Sequence, residues 1–194
     1  MDLLIVDNFD SFTFTLVYYF ESILRKSVTV CRYDKLAVDD LGAFSHIVLS
    51  PGPGLPRDYP LLHEMVLALG GTKRILGICL GHQVIGEAFG GRLKQSLPIG
   101  HGVQSAVIHD GDGLFKGVTS PFCVGRYHSW EVDRDSLPGY VEVIASTAEG
   151  IVMGMRHKHL DVTSLQFHPE SVMTDFGFLI LSNWLGIKME LDLL

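Results

Sequence analysis

In the first half of the chain, short apolar runs alternate with segments in which apolar residues recur every three or four positions. The runs predict buried strands, at residues 3–6, 28–31, 47–49 and 74–78. The periodic segments predict helices, at residues 12–23, 61–69 and 81–89. Ser11 and Thr13 are the candidate caps of the first helix. Strands separated by helices predict an α/β fold, with an open, mostly parallel twisted sheet that is flanked by helices.

After Gly91 the pattern changes to shorter apolar runs without long helical segments between them. These runs predict strands at residues 103–108, 122–124, 141–145, 151–155 and 162–167. We expect an additional, more antiparallel set of strands here, followed by a closing helix near residues 176–185 with Trp184 in the core. No repeat or linker interrupts the chain, so residues 1–194 are predicted to form a single domain.

Composition and charge narrow the functional classes. Of 194 residues 47% are hydrophobic, which suits a closed core, and 15 basic against 22 acidic residues give a net charge of −7. A negative surface disfavours nucleic acid and anionic membranes as partners. We also expect neither a spanning helix nor a signal peptide. Three widely spaced cysteines give no disulfide framework and indicate a reducing cytoplasm, and Cys31 and Cys123 are expected in the core.

Cys79 lies between a predicted strand and a predicted helix, with Gly77 and Gly81 two residues away on either side. A tight strand–turn–helix of this form exposes a nucleophile above the sheet. The nearby helix N-terminus also favours the thiolate. A free cysteine is more often a buried core residue, but the flanking glycines favour a nucleophile at this position.

A thiol nucleophile requires a base and a group that orients the base. His168 and Glu170 follow the last predicted strand, and Pro169 between them favours an extended, rigid turn. Together with Cys79 they predict a Cys–His–Glu triad. Acyl transfer also requires N–H donors for an oxyanion, and the candidates are the backbone groups of Gly54 and Leu80.

Four segments resemble motifs of the class I, triad-type glutamine amidotransferases. They are SPGPG at 50–54, GICLGHQ at 77–83, VGRYHS at 124–129 and QFHPES at 166–171. DNFDSF at 7–12 and HDGDGLFKG at 109–117 make the chain similar to the glutaminase components of anthranilate synthase and aminodeoxychorismate (para-aminobenzoate) synthase. The resemblance implies that Cys79 releases ammonia from glutamine for a separate chorismate-using subunit in a hetero-oligomer, with no cofactor in this chain.

The resemblance also implies a site for L-glutamine. Gly52 and Gly54 would line it, Gln83 would contact the α-amino-acid end of the substrate, and Ser129 and Trp130 would bind through backbone groups. Trp130 occupies a position at which leucine is common in the family. This difference in side chain leaves a main-chain contact to glutamine possible. Departures from the family pattern at residues 101–105 and 161 point in different directions. The product therefore stays open between aminodeoxychorismate, on the folate route, and anthranilate, on the tryptophan route.

Two other functions fit part of the pattern. A stand-alone γ-glutamyl cysteine hydrolase would share the triad and need no synthase. A non-catalytic regulatory module is disfavoured because all three triad residues are present. No metal is expected, since His157 and His159 lack a third ligand nearby.

Overall fold

The computed structural model describes residues 1–188, apart from the side chains of residues 38–40 and 97–101. Over this range, one nine-stranded sheet is flanked by four α-helices. The strands are β1 (Leu3–Asp7), β2 (Thr29–Arg32), β3 (His46–Leu49), β4 (Arg74–Ile78), β5 (Leu93–His109), β6 (Phe122–Val132), β7 (Val141–Ser146), β8 (Val152–His157) and β9 (Val162–Leu165). The helices are α1 (Thr13–Leu24), α2 (Pro60–Leu69), α3 (Leu80–Ala88) and α4 (Gly177–Leu185). The strand order is β2-β1-β3-β4-β9-β8-β7-β5-β6.

The α/β prediction is confirmed, since β2, β1, β3, β4 and β9 pair in parallel and the remaining pairs are antiparallel. Alternate side chains of β1 pack into two hydrophobic cores, one on each face of the sheet. Leu3 and Ile5 pack on one face with α1 and α4, while Leu4 and Val6 pack on the other with α2 and α3. A strand covered on both faces must be apolar at every position, which explains the continuous run at the start of the sequence. The carboxyl ends of the parallel strands are thereby aligned along one edge of the sheet.

The hairpin of β5 and β6 is longer than the sequence pattern predicts. The predicted strand at 122–124 continues as β6 to Val132, and the run at 103–108 belongs to a strand that begins at Leu93. Arg126, His128 and Glu131 are buried in β6. Because polar residues occupy these inward positions, the apolar alternation stops although the strand does not.

Two local predictions are wrong, and a third, for Cys31, is only partly right, because this residue packs at the margin of the core. Neither Ser11 nor Thr13 caps α1, whose N-cap is Phe12; the Thr13 hydroxyl instead donates to a carboxylate oxygen of Asp7 at 3.0 Å. Cys31 is only half-buried in the edge strand β2, and Cys123 is exposed. The side chains on either side of Cys123 in β6 point inward. Because successive residues of a strand face opposite sides of the sheet, the Cys123 side chain points outward.

Trp184 is buried, as predicted. Within residues 1–188, no helix has the length and apolarity that crossing a membrane requires.

Candidate active site

Cys79 occupies the turn between β4 and α3, at φ 52° and ψ −98°. Positive φ is unfavourable for a residue with a side chain and is often found at functional sites. A Cβ on Gly77 would collide with the backbone carbonyl of Gly81, and a Cβ on Gly81 would collide with that of Leu49. Both glycines are therefore required by the close approach of α3 to the sheet. The N–H of Cys79 donates to the carbonyl oxygen of Leu165 at 2.8 Å, which ties the turn to β9.

His168 and Glu170 form a buried pair beside this turn. Imidazole Nδ1 lies 2.7 Å from carboxylate Oε1 of Glu170. Burial lowers the pKa of His168, but the negative charges of Glu170 and Cys79 outweigh burial and raise this pKa well above 6.5. The second ring nitrogen, Nε2, is buried and makes no hydrogen bond to the residues that the structure describes. It is thus available for proton exchange with the Cys79 sulfur.

Two aromatic rings enclose the imidazole. The ring centroids of Phe12 and Tyr127 lie 5.0 and 4.9 Å from that of His168. The Tyr127 hydroxyl is 2.9 Å from Oγ of Ser171, in the same turn as His168 and Glu170. Sequence reasoning assigned no role to these aromatic residues, although both lie within the quoted motifs. Their packing against the imidazole limits its rotation.

The loop at residues 50–54 follows β3 and faces the start of α3. A Cβ on Gly52 would lie 2.5 Å from Cδ2 of Leu80, whereas the nearest atoms to a Cβ on Gly54 belong to Asp58. Gly54 adopts φ +78°, where glycine is strongly favoured. Gly52 is therefore the loop glycine in direct contact with Leu80, and Gly54 lies at the outer turn of the loop.

Asn8 holds this loop in place, a role that sequence reasoning missed. Its side-chain Nδ2 donates to the carbonyl oxygen of Ser50 at 2.8 Å, and its backbone N–H donates to the Ser50 hydroxyl at 3.0 Å. The hydroxyl of Tyr59 donates to the carbonyl oxygen of Pro53 at 3.0 Å. Polar contacts at both ends thus fix the backbone that faces Leu80.

A cavity of about 680 Å³ opens between the loop, the Cys79 turn and β6. Every residue singled out for catalysis or glutamine binding lines it except Glu170, which lies behind the imidazole of His168. The residues are Gly52, Gly54, Cys79, Leu80, Gln83, Ser129, Trp130 and His168. Segments far apart in the chain therefore meet around one pocket of a size that suits a small ligand.

The wall formed by Trp130 is held from behind by a polar network. The Trp130 carbonyl oxygen accepts from Nε2 of Gln83 and lies 2.9 Å from Nδ1 of His128. Arg126 donates from Nε to Nε2 of His128 at 3.1 Å. A guanidinium only donates, so the proton of the neutral imidazole is on Nδ1 and points to the Trp130 carbonyl. Burial, followed by the charge of Arg126, lowers the pKa of His128 to about 3.

Among the side chains that the structure describes, no three of His, Cys, Asp or Glu are grouped so that they could hold a metal ion. Nδ1 of His157 instead accepts the backbone N–H groups of His159 and Leu160, both at 3.1 Å.

The family model of glutamine amidotransferase class-I matches residues 4–187. The chain belongs to this family. The class I amidotransferase is 44% identical to anthranilate synthase component 2 of Pseudomonas aeruginosa, over 97% of this chain and 98% of that protein. It is 40% identical to aminodeoxychorismate synthase component 2 of Escherichia coli, over 95% of this chain and 98% of that protein.

Two further comparisons extend the range of this amidotransferase's relatives. The bifunctional protein TrpGD of Thermotoga maritima is 40% identical over 95% of the chain, which spans 32% of the length of that protein. A solved structure from Thermoplasma acidophilum matches with a TM-score of 0.85 at 25% identity, over 96% of this chain and 92% of its own. The family and fold expected from the motifs are thus confirmed.

Proposed function

We propose that this amidotransferase is the glutaminase component of a chorismate-using synthase. It hydrolyses L-glutamine to glutamate and ammonia and passes the ammonia to a separate synthase subunit. The observation that carries the proposal is the juxtaposition of Cys79, in a strained turn, with the buried pair of His168 and Glu170 at one cavity. The relatives named as component 2 of two synthases support the partner.

In the first half-reaction, the Cys79 thiolate attacks the side-chain amide carbon of glutamine. The carbonyl oxygen becomes an oxyanion, which the N–H of Leu80 at the start of α3 and the N–H of Gly54 in the facing loop stabilise. His168 carries a proton because Glu170 keeps its pKa high. It donates this proton to the nitrogen, the carbon–nitrogen bond breaks, and ammonia leaves behind a γ-glutamyl thioester.

In the second half-reaction, neutral His168 takes a proton from water as the water attacks the thioester. The carbon–sulfur bond breaks, glutamate leaves, and the Cys79 thiolate and protonated His168 are restored. This chemistry needs glutamine and water alone, so the proposed activity involves no cofactor.

The hydrogen bonds around the cavity restrict how glutamine binds. Because the amide nitrogen of Gln83 donates to the Trp130 carbonyl, the Gln83 carbonyl oxygen is left to accept from the α-ammonium of glutamine. The Trp130 carbonyl already has two donors, Gln83 and His128. The main-chain contacts proposed for Ser129 and Trp130 are therefore made by their other backbone groups.

We place the assembled complex in the cytoplasm, as a hetero-oligomer with the synthase subunit. The product is aminodeoxychorismate or anthranilate, since relatives of both kinds match nearly the whole chain.

The test combines the purified chain with each type of synthase subunit, chorismate and glutamine. The proposal predicts glutamate release that rises sharply with one partner, an aminated chorismate product, and a glutamyl adduct that can be trapped on Cys79. Glutamate release that neither partner changes would indicate a stand-alone hydrolase. No release under any condition would indicate a non-catalytic module.

A further inference from the structure

Gln166 is fully buried and reaches the nucleophile, although the mechanism above does not use it. Its side-chain Nε2 lies 3.8 Å from Sγ of Cys79, within hydrogen-bonding distance for sulfur. Phe167 is buried in the core, while His168, two positions after Gln166, is coupled electrostatically to the same cysteine. One short segment thus brings an amide and an imidazole to one sulfur.

The orientation of the Gln166 amide follows from its neighbours. The Trp130 carbonyl can only accept, so the Gln83 atom 2.9 Å from it is the donor Nε2. The same Nε2 lies 3.5 Å from Gln166, where the facing atom must be the acceptor Oε1. The NH₂ group of Gln166 therefore points to the sulfur.

We propose that Gln166 is a further catalytic residue, whose side-chain amide donates a hydrogen bond to the Cys79 sulfur and stabilises its thiolate. Gln83 is a positioning residue that sets the orientation of this amide. The consequence for turnover rests on the function proposed above; the hydrogen bond itself does not.

A hydrogen bond to an ion in a buried site is stronger than one between neutral groups. An amide also donates without taking a proton, so it stabilises the thiolate without competing with His168 as the base. Loss of this donor should lower the reactivity of Cys79 by about tenfold. Gln166 does not line the cavity, and Gln83 keeps its shorter hydrogen bond to the Trp130 carbonyl without it. The KM for glutamine should therefore stay the same while kcat falls.

The test uses the chain of residues 1–194 with Gln166→Met and Gln166→Leu, both of which remove the donor and put no other donor in its place. Alkylation of Cys79 by iodoacetamide at neutral pH is measured relative to the exposed Cys123 of the same molecule. The ratio should fall about tenfold with either variant and stay unchanged in Gln95→Met, a control at an exposed glutamine of β5. A wild-type ratio in folded Gln166→Met would overturn the proposal.

A second measurement covers the case in which neither variant folds. The NMR resonances of the Gln166 side-chain amide are compared between the wild-type chain and Cys79→Ser, in which oxygen replaces the sulfur. The Gln166 resonances should differ between the two chains, while those of Gln95 stay in place. Unmoved Gln166 resonances would overturn the hydrogen bond. Both measurements report on the sulfur directly and need no turnover. If the wild-type chain releases no glutamate with either type of synthase subunit, the proposed function is contradicted, while the result on the hydrogen bond can still be interpreted.

Discussion

At the residue scale, the charge of Glu170 controls the proton on His168. Glu170→Gln keeps the shape of the side chain but removes the charge that most raises the pKa of His168, so burial then lowers this pKa. The imidazolium is lost at lower pH, and we expect the basic limb of the kcat/KM profile to move to lower pH. kcat should fall by about 100-fold or more, with KM nearly unchanged because Glu170 lies behind the imidazole and does not line the cavity.

The comparison is His168→Asn, which removes the base itself and should be more severe. Both variants are assayed with saturating synthase subunit over a range of glutamine concentrations and pH. Wild-type kinetics in Glu170→Gln, combined with an inactive His168→Asn, would show that another carboxylate or none orients the imidazole.

The placement of Cys79, His168 and Glu170 at one site could be predicted from sequence because each carries a local signal: glycines around Cys79, and a proline between His168 and Glu170. Gln166 begins the quoted segment QFHPES, but nothing in that segment indicates that its amide reaches the sulfur. Its contact with sulfur depends on β4 and β9 lying side by side, which no short motif encodes. Cys123 was misplaced because neighbouring apolar residues do not reveal which of two alternating faces a strand residue takes.

At the element scale, the start of α3 depends on how closely it approaches β3. In Gly81→Ala the new methyl group would meet the backbone of Leu49, which cannot move aside as a side chain can. We expect a loss of about 1–3 kcal/mol in the free energy of unfolding and a large loss of glutaminase activity, since Cys79 would shift with the helix. Denaturant unfolding and the coupled glutaminase assay measure the two effects.

Gly71→Ala is the matched control, because a Cβ there would meet no atom within 4 Å. It should change neither stability nor activity appreciably. If Gly81→Ala behaved like this control, the close approach of α3 would not be what positions Cys79.

Elements with a continuous or periodic apolar pattern were predicted to within a few residues, as β4 and α2 show. The β5–β6 hairpin was not, because burial of Arg126 and His128 breaks the pattern on which such predictions rest. These buried polar residues support the cavity wall. The polar positions that interrupt the apolar pattern of β6 therefore have a role at the site.

At the scale of the whole molecule, two buried histidines couple stability to pH. Burial lowers the pKa of His82 and of His128 to about 3, against 6.5 in the unfolded chain. Below pH 6.5 the unfolded chain therefore binds protons that the folded chain does not. As the pH decreases below 6.5, the free energy of unfolding should therefore decrease by about 1.4 kcal/mol per pH unit for each histidine. His168, whose pKa is raised, is protonated in both states there and adds no loss.

Denaturant unfolding between pH 7 and pH 5 measures this slope. His82→Asn should reduce it by the share of one histidine, while His159→Asn, at an exposed position, should keep the wild-type slope. An unchanged slope in His82→Asn would contradict the assignment of a neutral, buried imidazole at this position.

The central claim is that Cys79 releases ammonia for a separate synthase subunit, and the complex formed with Cys79→Ala tests it most directly. Synthesis is measured twice on the same assembled complex, once with glutamine and once with ammonium as the nitrogen source, after gel filtration has shown that the subunits associate. Only the glutaminase half uses the thiolate, so product should disappear with glutamine and persist with ammonium. Synthesis from glutamine that survives in Cys79→Ala would contradict the account.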